Sequence, residues 1–230
     1  MSRERRDPAK DPSQFEVHEV VRRVREAVAP LPKPVMVALA DEGYRSLFEQ
    51  VVACIISART KEEVTAVVAR RLFAVARTPL SLAALPVGVA GELLRQATFA
   101  EVKASRILEV AKRTLEQFGG TLPCDEAVIR SLPGVGPKCA NLALGIVCGM
   151  PLISVDVHVH RVTNRWGLVS TRTPEATTKA LKAALPPEYW GETNRLLVPF
   201  GKYICTGERP RCSVCPVRPF CPQVGVASQR

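Results

Sequence analysis

The chain is short of aromatic residues, of histidine, of acidic charge and of long apolar runs, and each shortage narrows what it can be. Aromatics make up 5% of its 230 residues although 47% are hydrophobic. The apolar content is mainly Ala, Val and Leu, which favours helices over the aromatic-rich strands of a sheet protein. No stretch approaches the ~20 consecutive apolar residues of a membrane span, and Met1–Lys10 is charged with no apolar core behind it. The expectation is a cytoplasmic, unprocessed protein, nucleoid-associated if bacterial. Acidic residues number 22 against 32 Lys and Arg, a formal net charge of +10. Such an excess attracts polyanions, nucleic acid foremost, although a merely soluble basic protein would share it. Eight cysteines in a chain expected in a reducing compartment point to metal binding where they cluster, not to disulfides.

The polar opening stretch, residues 1–14, reads as a solvated tail. From Phe15 to Ala29, valines at 17, 20, 21, 24 and 28 recur at helical spacing until Pro30, Pro32 and Pro34 stop them. Further helices follow through Leu47–Ile55 and Val64–Leu72. Another runs over Glu101–Phe118, closed by Gly119-Gly120, and the next is opened by Asp125. Thr78-Pro79 and Thr173-Pro174 each read as a cap followed by a proline in the first turn. Three helices are expected after Asp156, at 156–166, 174–185 and 188–204. Leu152–Val155 is β-like but too short to found a sheet. The fold class is therefore all-α, with about ten helices and no internal repeat.

Cys205, Cys212, Cys215 and Cys221 are separated by six, two and five residues inside a Pro- and Arg-rich tail. Four thiolates so close repel one another unless a cation neutralises them, and a metal centre organises a loop that lacks a core. An iron–sulfur cluster and a tetrahedral zinc both remain open on spacing alone. Cys54, Cys124, Cys139 and Cys148 are scattered, and all but Cys124 lie in apolar helical runs where packing is the expected role.

Leu132-Pro133-Gly134-Val135-Gly136-Pro137-Lys138 joins two helices, the second expected over Pro137–Cys148. Gly134 and Gly136 bracket Val135 in a tight turn, with Val135 inward and free amides at the mouth of the second helix, a site for phosphate. Lys138 sits in the first turn, where the helix dipole, aided by burial beside the hairpin, disfavours its protonated form. A neutral amine there is a carbon nucleophile, and an exposed phosphate-binding lysine is the equal alternative. Asp156, in Val155-Asp156-Val157-His158, is an N-cap or an anion that stabilises positive charge on a sugar. His158 and His160 are expected to be packed or hydrogen-bonded rather than ligands.

The hairpin, the Val-Asp-x-His segment one helix later and the C-x6-C-x2-C-x5-C tail, in this order, resemble the endonuclease III family of DNA glycosylases over roughly residues 15–223. The resemblance implies two helical domains flanking a DNA-binding cleft. One would be a six-helix domain over 38–151 that contains the helix-hairpin-helix. The other would join 15–37 to 152–230 and carry a [4Fe-4S] cluster on the four tail cysteines. It implies a base-excision-repair glycosylase that flips a damaged base and attacks the sugar with Lys138, assisted by Asp156, forming a Schiff base that permits β-elimination. A lysine at that place favours the bifunctional, pyrimidine-directed branch. The expected partner is duplex DNA with damaged bases or abasic sites, bound by a monomer without a membrane. DNA contacts would come from Arg59, Phe99, Gly134, Val135, Gly136, and from Lys202, Arg209 and Arg211 around the cluster loop.

Three positions depart from the family pattern. Ile55-Ile56-Ser57-Ala58-Arg59 ends in Arg where the family has the glutamine that fills the gap left by a flipped base. Pro137 replaces a basic residue of the hairpin, and Thr98-Phe99-Ala100 lacks the tyrosine usual before Lys103-Ala104. These changes keep two alternatives in view: a monofunctional glycosylase with another base preference, and a non-catalytic damage-binding protein.

Overall fold

The computed structural model describes residues 16–230, and the polar stretch read as a tail lies outside the described residues. Among the described residues there are twelve α-helices and no strand. In chain order they are α1 (Val17–Val28), α2 (Val35–Asp41), α3 (Leu47–Ser57), α4 (Glu62–Val75), α5 (Pro79–Ala83) and α6 (Val87–Leu93). They continue with α7 (Ala100–Phe118), α8 (Glu126–Ser131), α9 (Pro137–Cys148), α10 (Val157–Arg165), α11 (Pro174–Ala184) and α12 (Thr193–Tyr203). No described helix is long and apolar enough to cross a membrane. The chain divides into two compact units, Lys33–Ser154, and Val155–Arg230 together with the residues up to Pro32.

In the first unit α3 is the organising element. Leu47 through Ile56 are all buried, so this helix has no solvent face, and it packs against α4, α7 and α9. Its start is fixed by a capping box in which Ser46 accepts from the Glu49 amide and Glu49 accepts from the Ser46 amide. Glu49 is almost fully buried and carries the Arg77 guanidinium as its counter-charge. Thr78 caps α5 through the Ser81 amide with Pro79 in the first turn, and Gly119, in the left-handed region at φ 59°, ends α7. α2 and α6 are additional to the sequence expectation. Each is seven residues long, follows a proline at its N-cap (Pro34, Pro86) and has no capping side chain, so neither carries a local start signal beyond the proline.

The second unit is built on α1, α10, α11 and α12. Val20, Val24 and Val28 form the buried stripe of α1, which packs against α12. Trp166 and Phe200 meet edge to face at 5.7 Å beneath α10 and α12. α10 and α12 approach closely at Gly201, where an added Cβ would stand 2.9 Å from His158 Cβ. Only a residue without a side chain admits that crossing. The helix expected over 188–204 starts instead as a 3-10 turn, Pro187–Tyr189, before α12 begins at Thr193.

Candidate functional site

The hairpin between α8 and α9 forms as its sequence dictates. Gly134 has φ +82°, a conformation that L side chains rarely adopt, and Val135 turns inward with 8% exposure. Gly136 differs. Its φ of −93° and ψ of 176° suit any residue, and it serves as the N-cap of α9 with no side chain closing that end. The amides of the first turn of α9 therefore face outward with the positive end of the helix dipole behind them. Arg106, on α7, lays its stem over Gly134, with Cδ 2.9 Å from where a Cβ would sit. Sequence reasoning missed this residue because no pattern along α7 links it to a turn 28 positions later.

Lys138 is exposed, which corrects the expectation that it is buried beside the hairpin. The inward turn of Val135 and the packing of Cys139 carry the buried side of this segment, and Lys138 points the other way. Its backbone is pinned from behind. The Lys138 carbonyl accepts from Ser154 Oγ at 3.0 Å, and Asn141 Nδ2 donates to Ile153 O at 2.8 Å, so the chain leaving α9 runs back along its first turns. Beneath Lys138, Cys139 meets Cys54 of α3. Both are buried as expected, and the hydrogen bond Cys139 donates to Cys54, together with burial, pushes the Cys139 thiol up.

Cys148 is not a packing residue. It is joined to Cys124 by a disulfide with Cα atoms 6.0 Å apart. α8 and α9 pack together across the hairpin, which returns the end of α9 to the turn that precedes α8. Scattered positions in the sequence thus become neighbours, contrary to the packing role expected of Cys148; Cys124 carried no such expectation.

Elsewhere in the same unit, Arg59 and Phe99 project from neighbouring loops. Arg59 is exposed with φ 55°, and Phe99 is 59% exposed with φ 57°. The loops are laced together, since Thr98 Oγ1 donates to Arg59 O at 2.9 Å and the Thr98 amide donates to Thr60 Oγ1 at 3.1 Å. Thr60 and Thr98 carried no signal in the sequence.

Asp156 and the cysteine loop belong to the other unit. Asp156 is the N-cap of α10, and its Oδ1 accepts from the amides of His158 at 2.9 Å and Val159 at 3.0 Å. His160 Nδ1 pairs with Thr177 Oγ1 at 2.6 Å, and His158 Nδ1 with Arg161 at 3.2 Å, which bears out the hydrogen-bonded reading of both. Arg161 and Arg165, one turn apart on α10, hold the loop after α12. Arg161 donates to Gly201 O at 2.7 Å and to Cys205 O, and Arg165 to Thr206 O and Gly207 O, each at 2.6 Å. No pattern along the sequence links these two arginines to a loop more than 40 positions downstream.

Cys205, Cys212, Cys215 and Cys221 line one small cavity with Arg165 and Arg218 on its wall. Among the described residues no group of three or more His, Cys, Asp and Glu side chains is set to hold a metal ion. Burial pushes the thiols of Cys212 and Cys215 up, and that of Cys221 to about 11. The nearby Arg218 and Arg165 do not offset that burial at Cys212. Lys202 stands half-buried with its ammonium 5.6 Å from the Tyr203 ring, and Arg209 and Arg211 are exposed in the loop.

A model of the HhH-GPD superfamily of base excision DNA repair proteins matches residues 52–187. The chain is 38% identical to endonuclease III of Thermotoga maritima over 174 residues, which is 76% of this chain and 82% of that one. Its fold matches that of a non-covalent endonuclease III–DNA complex with a TM-score of 0.81 at 27% identity, covering 93% of this chain and 96% of the other. A trapped endonuclease III–DNA covalent intermediate matches with a TM-score of 0.80 over the same shares. With the helix-hairpin-helix in place and this likeness running through most of both chains, the protein belongs to the endonuclease III family and is a base-excision-repair DNA glycosylase/lyase.

Proposed function

We propose that the enzyme is bifunctional, releasing oxidised pyrimidines from duplex DNA and cutting the resulting abasic site through Lys138. The observation that carries this reading is the exposed lysine in the first turn of α9, directly behind a glycine hairpin whose helix end no side chain caps. A DNA phosphate received on those amides sets the sugar beside Lys138 Nζ. Arg59 and Phe99 enter the duplex at the lesion, while Lys202, Arg209 and Arg211 contact phosphates. The uncharged amine attacks C1′, the bond from C1′ to the base breaks, and the base leaves with a proton from water. Opening of the sugar ring gives an imine at C1′. Loss of a C2′ proton then expels the 3′ phosphate, and water hydrolyses the imine to restore Lys138. Asp156 uses Oδ1 to cap α10, which leaves Oδ2 to stabilise positive charge on the sugar and to take the proton that the amine sheds. Support for the covalent route comes from a similar fold in which endonuclease III is trapped on DNA.

We further propose that Cys205, Cys212, Cys215 and Cys221 hold a [4Fe-4S] cluster. Support comes from their chemistry and placement: all four are thiols and line one cavity. When bound, the cluster neutralises the four thiolates and organises the loop that presents Arg209 and Arg211; no step of the reaction runs through it. The protein acts as a monomer on duplex DNA in the cytoplasm.

Borohydride trapping tests the reading. Native protein mixed with thymine-glycol and abasic duplexes gives a covalent adduct, and Lys138→Ala gives none. Base release without an adduct in the native protein selects a monofunctional glycosylase. DNA binding with neither product overturns the proposal.

A further inference from the structure

Lys103 lies in the first turn of α7 and is 3% exposed, yet none of its acceptors is a carboxylate. Its Nζ donates to Ile56 O and Ala58 O, each at 2.7 Å, and to Thr60 Oγ1 at 2.8 Å. All three protons of the ammonium are thereby used. Burial lowers its pKa to about 8, so at neutral pH the charged form with its three donors is still the main one. Two of these acceptors belong to the C-terminal end of α3, where carbonyls have no partner within the helix and where the dipole favours a cation.

The same three bonds frame Arg59. Ala58 and Thr60 flank it, Thr98 Oγ1 holds its carbonyl, and the Thr98 amide shares Thr60 Oγ1 with Lys103. The Lys103 amide, for its part, donates to Phe99 O at 3.0 Å. Two of the four non-glycine residues with positive φ among the described residues, Arg59 and Phe99, are thus tied together through Thr98, whose link to Thr60 Oγ1 ends on the buried ammonium. The hydrogen bond from the Lys103 amide to Phe99 O belongs to the backbone of α7 alone. Left-handed backbone at bulky residues persists only where the surroundings over-determine it. Neither tip makes an apolar anchor of its own, since both are exposed.

We infer that Lys103 is a positioning residue, its buried ammonium locking the Arg59 and Phe99 tips into one rigid two-pronged element that drives base extrusion. The inference rests on the reading above in which both tips enter the duplex. It assigns Lys103 no contact with DNA and no part in the bond-making steps. Ordering two loops in advance spares the complex that entropy when the base leaves the stack.

The test uses full-length protein and separates extrusion from chemistry. Thr60→Val keeps the shape of the side chain and removes the hydroxyl that Lys103 and Thr98 share; Thr60→Ser restores it. Extrusion is read from 2-aminopurine fluorescence beside the lesion, excision from single-turnover assays on a thymine-glycol duplex, and chemistry from cleavage of a single-stranded abasic oligonucleotide. Thr60→Val is expected to slow extrusion and duplex excision about tenfold, the effect of one lost hydrogen bond network contact on a preorganised element, while single-stranded cleavage keeps its rate and Thr60→Ser recovers the loss. Lys103→Met is expected to give the larger defect, and Thr60→Val serves where that variant fails to fold. If Thr60→Val extrudes like the native protein while Arg59→Ala and Phe99→Ala do not, the positioning role is overturned and the tips keep theirs. If Arg59→Ala and Phe99→Ala also extrude normally, the reading of the tips is overturned and the inference falls with it. Equal slowing of duplex and single-stranded reactions in Thr60→Val also overturns it, by showing general structural damage.

Discussion

Replacing the two hairpin glycines one at a time separates what the fold needs from what DNA needs. At Gly134, φ of +82° puts alanine in the left-handed region, at a cost of about 1–2 kcal/mol. Its new Cβ would also stand 2.9 Å from Arg106 Cδ, so the arginine stem has to move. At Gly136 an added Cβ meets nothing within 4 Å, and the backbone is already extended. The poorer capping of alanine costs about 0.5–1 kcal/mol, roughly offset by the lower entropy of the unfolded chain. Gly134→Ala is therefore expected to lose about 1–2 kcal/mol in a urea melt, and Gly136→Ala to match the native protein. Binding to a duplex with an abasic-site analogue orders them differently. A methyl group at the mouth of α9 stands where a phosphate approaches the free amides. Loss of one charge-assisted bond there lowers the affinity of Gly136→Ala about tenfold or more. Fluorescence anisotropy over a salt series measures it, and the loss should persist at each salt concentration. A Gly136→Ala protein that binds as tightly as native refutes phosphate capture at this helix end. A Gly134→Ala protein of native stability refutes the conformational argument for the hairpin.

The Cys124–Cys148 disulfide closes a loop that contains α8, the hairpin and α9, with a sequence separation of 24. In the chain-entropy account a loop of that size is worth about 3.5 kcal/mol, so Cys124→Ser should be less stable by that amount under non-reducing conditions. Dithiothreitol should bring the native protein to the same midpoint, and a native protein indifferent to reductant removes the basis for this expectation. For the metal, Cys212→Ala should lose the brown absorbance, together with iron and sulfide, and destabilise the unit that holds α10 and α12; zinc in the native protein, without iron, overturns the cluster.

The parts of the fold readable from sequence are those fixed by near neighbours. Thr78-Pro79, Thr173-Pro174, Asp125 and Gly119 each mark a helix boundary by a side chain or backbone preference acting within four residues, and the structure has all four where they were expected. α2 and α6 escaped because seven residues make too few turns to show a period, and no side chain announces their start. The Cys124–Cys148 pairing escaped because connectivity depends on how α8 returns along α9, which no spacing records. The exposure of Lys138 is of the same kind, being set by which face of α9 meets α3.

The site divides along the same line. Residues offered for chemistry carry local signatures, whereas those that hold them in place do not. Lys103 acts on carbonyls up to 47 positions away, and Arg161 and Arg165 on a loop more than 40 positions downstream. This distinction bears on the departure at Pro137, where the family pattern has a basic residue. In the first turn of α9 a proline gives up an amide that has no helical partner in any case. What the position loses is charge, and the structure has a guanidinium at the hairpin from another direction, since Arg106 Nε and Nη1 each lie 3.7 Å from the point where a Gly134 Cβ would be. A motif read along the chain registers the lost cation; the packing of α7 over the turn puts one back. The substitution at Pro137 therefore weighs less against phosphate binding than the sequence alone implies, and the burden of the family departures falls on Arg59.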